Sequence, residues 1–343
     1  MVRRMLCMGA QPLVERSRHS EPRQNLGRKA RVLAVVHGWM PYLAAGSERM
    51  MQHMIDALPR DEFEVSVLSF GFEDNICEDY LYENTPVHVG YSTEEVPDVI
   101  ITHHGPASRV VQDMSLQFPD ARIVTVFHNE RYDIPDILRL NADLQVYNTS
   151  WVRDAVNSSS PSTVVHPPLD PSRHRVGKRG NKVTLCNLQD NKGVHVWNEL
   201  ARRMPNVEFL GVIGSHGEQI PVKLANVEIQ PLTQDMREVW SNTKILLMPS
   251  GYESYGMVAA EACVSGIPVI ANPTPGLVEC LDNAGIFVPR DDIDGYERVI
   301  RLLLEDKEQY RIHSEMAELR GRELADQTNS ELKRFVQKMR GLV

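Results

Sequence analysis

Two acidic side chains, Glu253 and Glu261, stand eight positions apart in the segment Met248-Pro249-Ser250-Gly251-Tyr252-Glu253-Ser254-Tyr255-Gly256-Met257-Val258-Ala259-Ala260-Glu261-Ala262. An apolar, strand-like run ends at Met248, a loop containing Gly and Ser follows, and small residues after Gly256 open a helix. The unpaired N–H groups of a first helical turn, here near Tyr255, Gly256 and Met257, suit an anion such as a diphosphate, and glycine lets the backbone approach it closely. At a rise of ~1.5 Å per residue the two acids are about 12 Å apart, which matches a diphosphate bridge. One acid then reaches the hydroxyls of a sugar and the other the ribose hydroxyls of the same nucleotide-sugar. Taken alone, the pair also reads as a loop acid favoured by a helix dipole and a solvated helix residue.

The elements that position these residues follow from periodicity. From Arg31 onward, short β-branched runs alternate with helical stretches, the pattern of βαβ units around a mainly parallel sheet. Val32–Val36, Val65–Leu68, Val99–Thr102, Ile123–Phe127 and Leu144–Tyr147 form a first set of strands. Val183–Cys186, Val207–Leu210, Val227–Ile229, Ile245–Met248, Pro268–Ile270 and Ile286–Val288 form a second. Between the first two strands, Met50, Met51, Met54, Ile55 and Leu58 recur at helical spacing behind Gly46-Ser47, a core-packing stripe. Pro167, Pro168 and Pro171 interrupt regular structure between the sets.

The expected organisation is therefore a flexible basic arm over 1–29, a Rossmann-like unit over 30–166, a linker over 167–181 and a second Rossmann-like unit over 182–325. Residues 326–343 form a C-terminal helix able to pack back on the first unit. A chain of 343 residues is long enough for two cores. Its 42% hydrophobic and 24% charged content is that of a globular protein.

The formal net charge of −9 argues against a general nucleic-acid binder. Cys7, Cys77, Cys186, Cys263 and Cys280 include no close pair, which suggests neither a disulfide framework nor a zinc knuckle. With no run approaching the ~20 apolar residues of a membrane span and no apolar signal-peptide core, the expected location is the cytoplasm. Membrane contact is at most peripheral, through the basic arm.

The Glu253–Glu261 segment resembles the Glu-x7-Glu signature of the large retaining glycosyltransferase family with the GT-B fold (glycosyl transferases group 1, bacterial and bacteriophage members). Ala262-Cys263-Val264-Ser265-Gly266-Ile267-Pro268-Val269-Ile270, Pro275-Gly276-Leu277-Val278-Glu279 and Gly285-Ile286-Phe287-Val288-Pro289 continue the likeness. The resemblance implies two Rossmann-like domains facing each other across a cleft. It also implies transfer of a hexosyl or related glycosyl group from a nucleoside-diphosphate sugar, with retention of anomeric configuration.

Three more positions carry across. Gly46, in Ala45-Gly46-Ser47-Glu48-Arg49, matches the glycine turn that faces donor phosphates and acceptor; an ordinary helix start explains it too. His128 matches a histidine near the anomeric centre, with His103 and His104 as rivals at another strand end. In Asn187-Leu188-Gln189-Asp190-Asn191-Lys192-Gly193, Lys192 fits a loop lysine that neutralises the leaving diphosphate, while Asn187 stands where an arginine is expected. Either another basic residue substitutes or leaving-group stabilisation is weaker.

The resemblance thus makes His128 and Glu253 catalytic candidates, and Gly46, Asn187, Lys192, Ser254, Tyr255, Gly256, Met257 and Glu261 donor-binding candidates. No metal or other cofactor is expected: histidines and cysteines show no ligand spacing, and Asp291-Asp292-Ile293-Asp294 reads as the acidic start of a helix. The acceptor, whether glycan, lipid, small molecule or protein, is left open. So are a nucleotide-sugar epimerase of the same fold and a catalytically silent nucleotide-binding module. A nicotinamide-dependent oxidoreductase is disfavoured, because Gly211-Val212-Ile213-Gly214-Ser215-His216-Gly217 lacks the Gly-x-Gly-x-x-Gly spacing.

Overall fold

The computed structural model describes residues 27–43, 45–71, 78–177, 180–214 and 217–343. The basic arm, apart from its last residues, and Cys7 and Cys77 lie outside the described residues. Two sheets form. The first contains β1 (Ala30–Val36), β2 (Phe63–Ser69), β3 (Tyr80–Tyr82), β4 (Thr85–Val89), β5 (Val99–His103), β6 (Arg122–Phe127), β7 (Leu144–Tyr147) and β8 (Ser162–Val164). Their order is β3-β4-β2-β1-β5-β6-β7-β8. The second contains β9 (Lys182–Cys186), β10 (Phe209–Val212), β11 (Val227–Gln230), β12 (Thr243–Met248), β13 (Val269–Ala271) and β14 (Gly285–Phe287), in the order β11-β10-β9-β12-β13-β14.

Every pairing is parallel except that of β3 with β4. Strands buried on both faces need continuous apolar runs, and β5, β6 and β7 are buried at every position. The antiparallel β3–β4 hairpin and the outermost β8 are additions to the expected strands.

Helices cover the sheets: α1 (Gly46–Asp56), α2 (Gly105–Gln117), α3 (Ile134–Leu138) and α4 (Ser150–Val156) with the first, and α6 (Val194–Arg203), α7 (Met236–Trp240), α8 (Met257–Val264), α9 (Pro275–Leu281) and α10 (Ile293–Glu305) with the second. Between them the expected irregular linker contains one helical turn, α5 (Pro171–His174). Pro171 can open it because the first helical N–H needs no partner, and the Asp170 carboxylate accepts from Ser172 N–H. The methionine stripe of α1 is buried as expected, against β1 and β2.

The C-terminal helix is longer than the expected 326–343 segment. It is continuous as α11 (Lys307–Arg340) and is shared by both units. Its Gly321 packs on the α8 backbone, and Phe335, Val336 and Met339 enter the core of the first unit. The Arg340 guanidinium grips both oxygens of Glu62 at 2.6 Å. No helix among the described residues is long and apolar enough to cross a membrane.

Candidate functional site

The carboxyl ends of β6, β7 and β12 and the amino ends of α1 and α8 meet where the two units face each other. They enclose a cavity of about 230 Å³. Its lining brings together Gly46, His128, Lys192, Glu253, Ser254, Tyr255, Gly256 and Met257, eight of the ten site residues expected from sequence. In open α/β sheets this end of the strands is where ligands bind.

The floor is the start of α8. Gly256 caps the helix at φ +109, a left-handed conformation, and a Cβ there would lie 2.6 Å from Leu277 Cδ2, so any side chain is strained at this position. The cap gives the first-turn N–H groups of α8 no side-chain acceptor, and Met257 and Val258 of that turn line the cavity. Lys192 reaches it from the β9–α6 loop, whose Gly193, at φ +84, lies against the Pro249 carbonyl where a Cβ has no room. Lys192 Nζ donates to Glu253 Oε1 at 2.6 Å and Ser250 Oγ donates to the same oxygen at 3.0 Å. An acid and a cation thus stand in contact beside the helix terminus.

The first unit closes over this floor with direct bonds. Asn148 Nδ2 donates to His128 O and to Ser254 Oγ, and Trp151 Nε1 donates to Ser254 O at 2.8 Å. The Tyr252 hydroxyl donates to Glu130 Oε2, and the Arg131 guanidinium lies 4.1 Å over the Tyr252 ring. Burial, then the Glu130 carboxylate, push the Tyr252 hydroxyl far up, so it stays protonated. Farther back, Glu279 on α9 accepts from the N–H groups of Ser150 and Trp151, capping α4 of the opposite unit, and from His166 Nε2 at 2.7 Å. His166 Nδ1 meets Glu331 of α11 at 2.9 Å. Burial pulls the His166 imidazole down, but its bonds to Glu279 and Glu331 outweigh this and raise it to about 9.

His128 sits among other histidines. Its Nε2 is 3.0 Å from His103 Nδ1, and His104 lies at a ring-centroid distance of 5.2 Å. Burial, then neighbouring histidines, hold His103 and His128 well below the usual imidazole value, and lower His104 to about 4. All three rings are neutral near pH 7. The rivals His103 and His104 are therefore part of the same cluster as His128.

Glu261 faces a second, adjoining cavity of about 80 Å³ that shares Pro167, Tyr255 and Met257 with the first. It is not the solvated helix residue that the pair taken alone allows: its side chain is 12% exposed, and burial, partly offset by Arg49, raises its carboxyl to about 7. His174 Nδ1 is 3.7 Å away, and Arg49 and Gln234 complete the polar rim.

Two expected residues are placed differently. Asn187 adopts φ +69 at the end of β9, and its Oδ1 accepts from Gln219 Nε2 at 3.0 Å; it lines neither cavity. Tyr255 is 2% exposed with its ring in the core of the second unit, so a ligand meets its backbone rather than its hydroxyl. Sequence reasoning passed over Asn148, Trp151 and His174 as site residues. The position of Asn148 directly after strand β7 was the available signal for the first.

Residues 223–320 match the family described as glycosyl transferases group 1. An uncharacterized glycosyltransferase of Haemophilus influenzae is 27% identical over 180 residues, which are 47% of this chain and 50% of that protein. The chain thus spans half the length of that relative. Among solved structures, sucrose-phosphate synthase from Thermosynechococcus elongatus superposes with a TM-score of 0.70 at 16% identity, covering 91% of this chain and 97% of the other. HepE from Anabaena, solved in complex with UDP-glucose, gives 0.70 at 15% identity, covering 90% and 97%. The matched family segment contains Glu253, Gly256 and Glu261 but not Gly46, His128 or Lys192, which enter the site through the fold. The chain therefore has the GT-B fold, with two parallel-sheet units across a cleft, and its residues 223–320 match the glycosyl transferases group 1 family.

Proposed function

We propose that the protein transfers a glycosyl group from a nucleoside-diphosphate sugar to an acceptor, with retention of anomeric configuration. The observation that carries this reading is the meeting of Lys192, Glu253, the amino end of α8 and His128 around one cavity, with Glu261 in the adjoining one. The shared wall at Pro167, Tyr255 and Met257 lets one donor span both: nucleoside toward Glu261, diphosphate over Gly256 and Met257, sugar toward Glu253 and His128. That HepE binds UDP-glucose within the same fold supports a donor of this class.

Cleavage of the sugar–phosphate bond puts negative charge on the diphosphate and positive charge on the sugar. The α8 N–H groups and Lys192 stabilise the first without reorganising. On this reading Lys192 exchanges its bond to Glu253 for the leaving group, and Glu253 is released to the sugar hydroxyls. The diphosphate end needs no metal ion. Asn187 leaves one fewer cation there than the resemblance calls for, so Lys192 carries more of the work.

A thermal-shift panel of nucleotide-sugars tests the reading, because a bound donor raises stability in proportion to its affinity. One donor should stand out, and product analysis with an acceptor should show the transferred glycoside in the donor's anomeric form. Donor consumption without an acceptor, giving an isomerised sugar, would instead favour an epimerase.

A further inference from the structure

Behind His128 lie two buried groups, Glu48 and His103, that do not line the cavity. Glu48, on the first turn of α1, is 1% exposed, and His103 is fully buried. Glu48 Oε1 faces His103 Nε2 at 3.9 Å, and the Ser47 hydroxyl donates to the other carboxylate oxygen, Oε2, at 2.9 Å. On its far side, His103 Nδ1 meets His128 Nε2 at 3.0 Å. His37 and His104 contact His103 as rings, at centroid distances of 5.9 and 4.3 Å, and Asp133 faces His104.

We infer that Glu48 is a positioning residue that sets the tautomer of His128 through His103. A neutral imidazole carries one proton. On His103 it belongs on Nε2: a lone pair there would face a carboxylate oxygen in a region closed to water, where opposed negative ends are costly. The Nδ1 of His103 is then an acceptor, so His128 must donate from Nε2. The remaining nitrogen of His128, Nδ1, becomes an acceptor of hydrogen bonds. His128 thus offers the ligand a lone pair suited to a sugar hydroxyl, not an N–H. The catalytic consequence of this chain rests on the glycosyl-transfer reading; the tautomer itself does not.

Replacement by glutamine separates charge from size. In Glu48→Gln the amide oxygen keeps the Ser47 hydrogen bond, which turns the amide NH₂ toward His103 Nε2. That nitrogen must then accept, the proton moves to His103 Nδ1, and His128 is forced to protonate on Nδ1. The competing occupant is a divalent transition-metal ion, since His37, Glu48 and His103 each offer a ligand atom within 4.8 Å of the others. A metal on His103 Nε2 would impose the same reversed tautomer on the wild-type protein.

Long-range ¹H–¹⁵N correlation of the imidazole nitrogens in the full chain reads the tautomer directly. Wild-type His128 should show a protonated Nε2 and an unprotonated Nδ1, and Glu48→Gln should exchange the two, with Glu48→Asp keeping the wild-type pattern. In turnover, Glu48→Gln should lower kcat by about tenfold or more at unchanged nucleoside-diphosphate affinity, as expected for a wrong tautomer. A protonated Nδ1 on wild-type His128, an unchanged pattern in Glu48→Gln, or uptake of one equivalent of zinc would each overturn the assignment. A chain with the expected tautomer that transfers no sugar would instead overturn the transferase reading and leave the tautomer standing.

Discussion

Lys192 Nζ lies 2.6 Å from Glu253 Oε1, a contact between a loop of the second unit and the acid just before α8. The two side chains are 27% and 12% exposed, so this is a partly sheltered ion pair at the mouth of a helix that already favours anions. On the proposed reading it holds the cation ready for a diphosphate while keeping the acid from repelling one.

Removal of the cation should therefore cost twice, once in lost phosphate stabilisation and once in an unneutralised Glu253. Lys192→Ala is expected to lower kcat/KM for the donor by about 10²-fold, the scale of losing one fixed transition-state donor. Steady-state kinetics check this, and a variant turning over at the wild-type rate excludes Lys192 from the reaction.

Glu261 gives a pH signature. Burial raises its carboxyl from an ordinary value near 4.5 to about 7, so the folded state binds more protons than the unfolded state over that interval, and stability from this group falls as pH rises through it. Ribose hydroxyls donate better to the ionised form. Nucleoside-diphosphate affinity should rise between about pH 6 and pH 8 in the wild type and rise less in Glu261→Gln. Calorimetric titration of both proteins measures the difference, which isolates Glu261 from ionisation of the phosphates.

His166 ties the two units together through Glu279 and Glu331. Its raised value, about 9 against an ordinary 6.5, means that its contribution is fully present below about pH 6.5 and is lost as pH rises through about 9. Glu279 has the opposite sign. Burial works against it, but His166 and the N–H groups of Ser150 and Trp151 hold it at about 2, so its contribution disappears as pH falls from 4.5 through 2. His166→Ala should cost about 3 kcal/mol at neutral pH, since the buried Glu331 and the partly buried Glu279 lose their cation, and should flatten the alkaline limb of the melting-temperature profile. Denaturant and thermal unfolding of the two proteins test both.

Gly256 holds the amino end of α8 in place. Gly256→Ala should destabilise the fold by about 1–3 kcal/mol through the forced left-handed backbone, with further loss from the contact with Leu277. Its donor affinity should fall together with its melting temperature, whereas Lys192→Ala should leave the melting temperature nearly unchanged.

The parallel core was readable because strands buried on both faces must be apolar throughout, as in Ile123–Phe127. The strands β3 and β8 were not, since each is only three residues long and none of their positions is buried. Glu253, Gly256 and Glu261 announced themselves because one strand–loop–helix unit carries all three. Contacts such as Glu279 with His166, 113 positions apart, or Glu331 with His166, 165 apart, leave no local pattern. The burial of Glu48 was equally hidden, because no local pattern near Gly46 signals that β5 brings His103 against it.

On the proposed reading a donor diphosphate sits on the amino end of α8. A crystal structure of the protein with a nucleoside-diphosphate sugar tests it most directly. Phosphate oxygens are expected within hydrogen-bond distance of the Met257 N–H and of Lys192 Nζ, with Glu253 turned to the sugar and Glu261 to the ribose. A donor bound elsewhere, with the Lys192–Glu253 pair intact and α8 uncontacted, would contradict it.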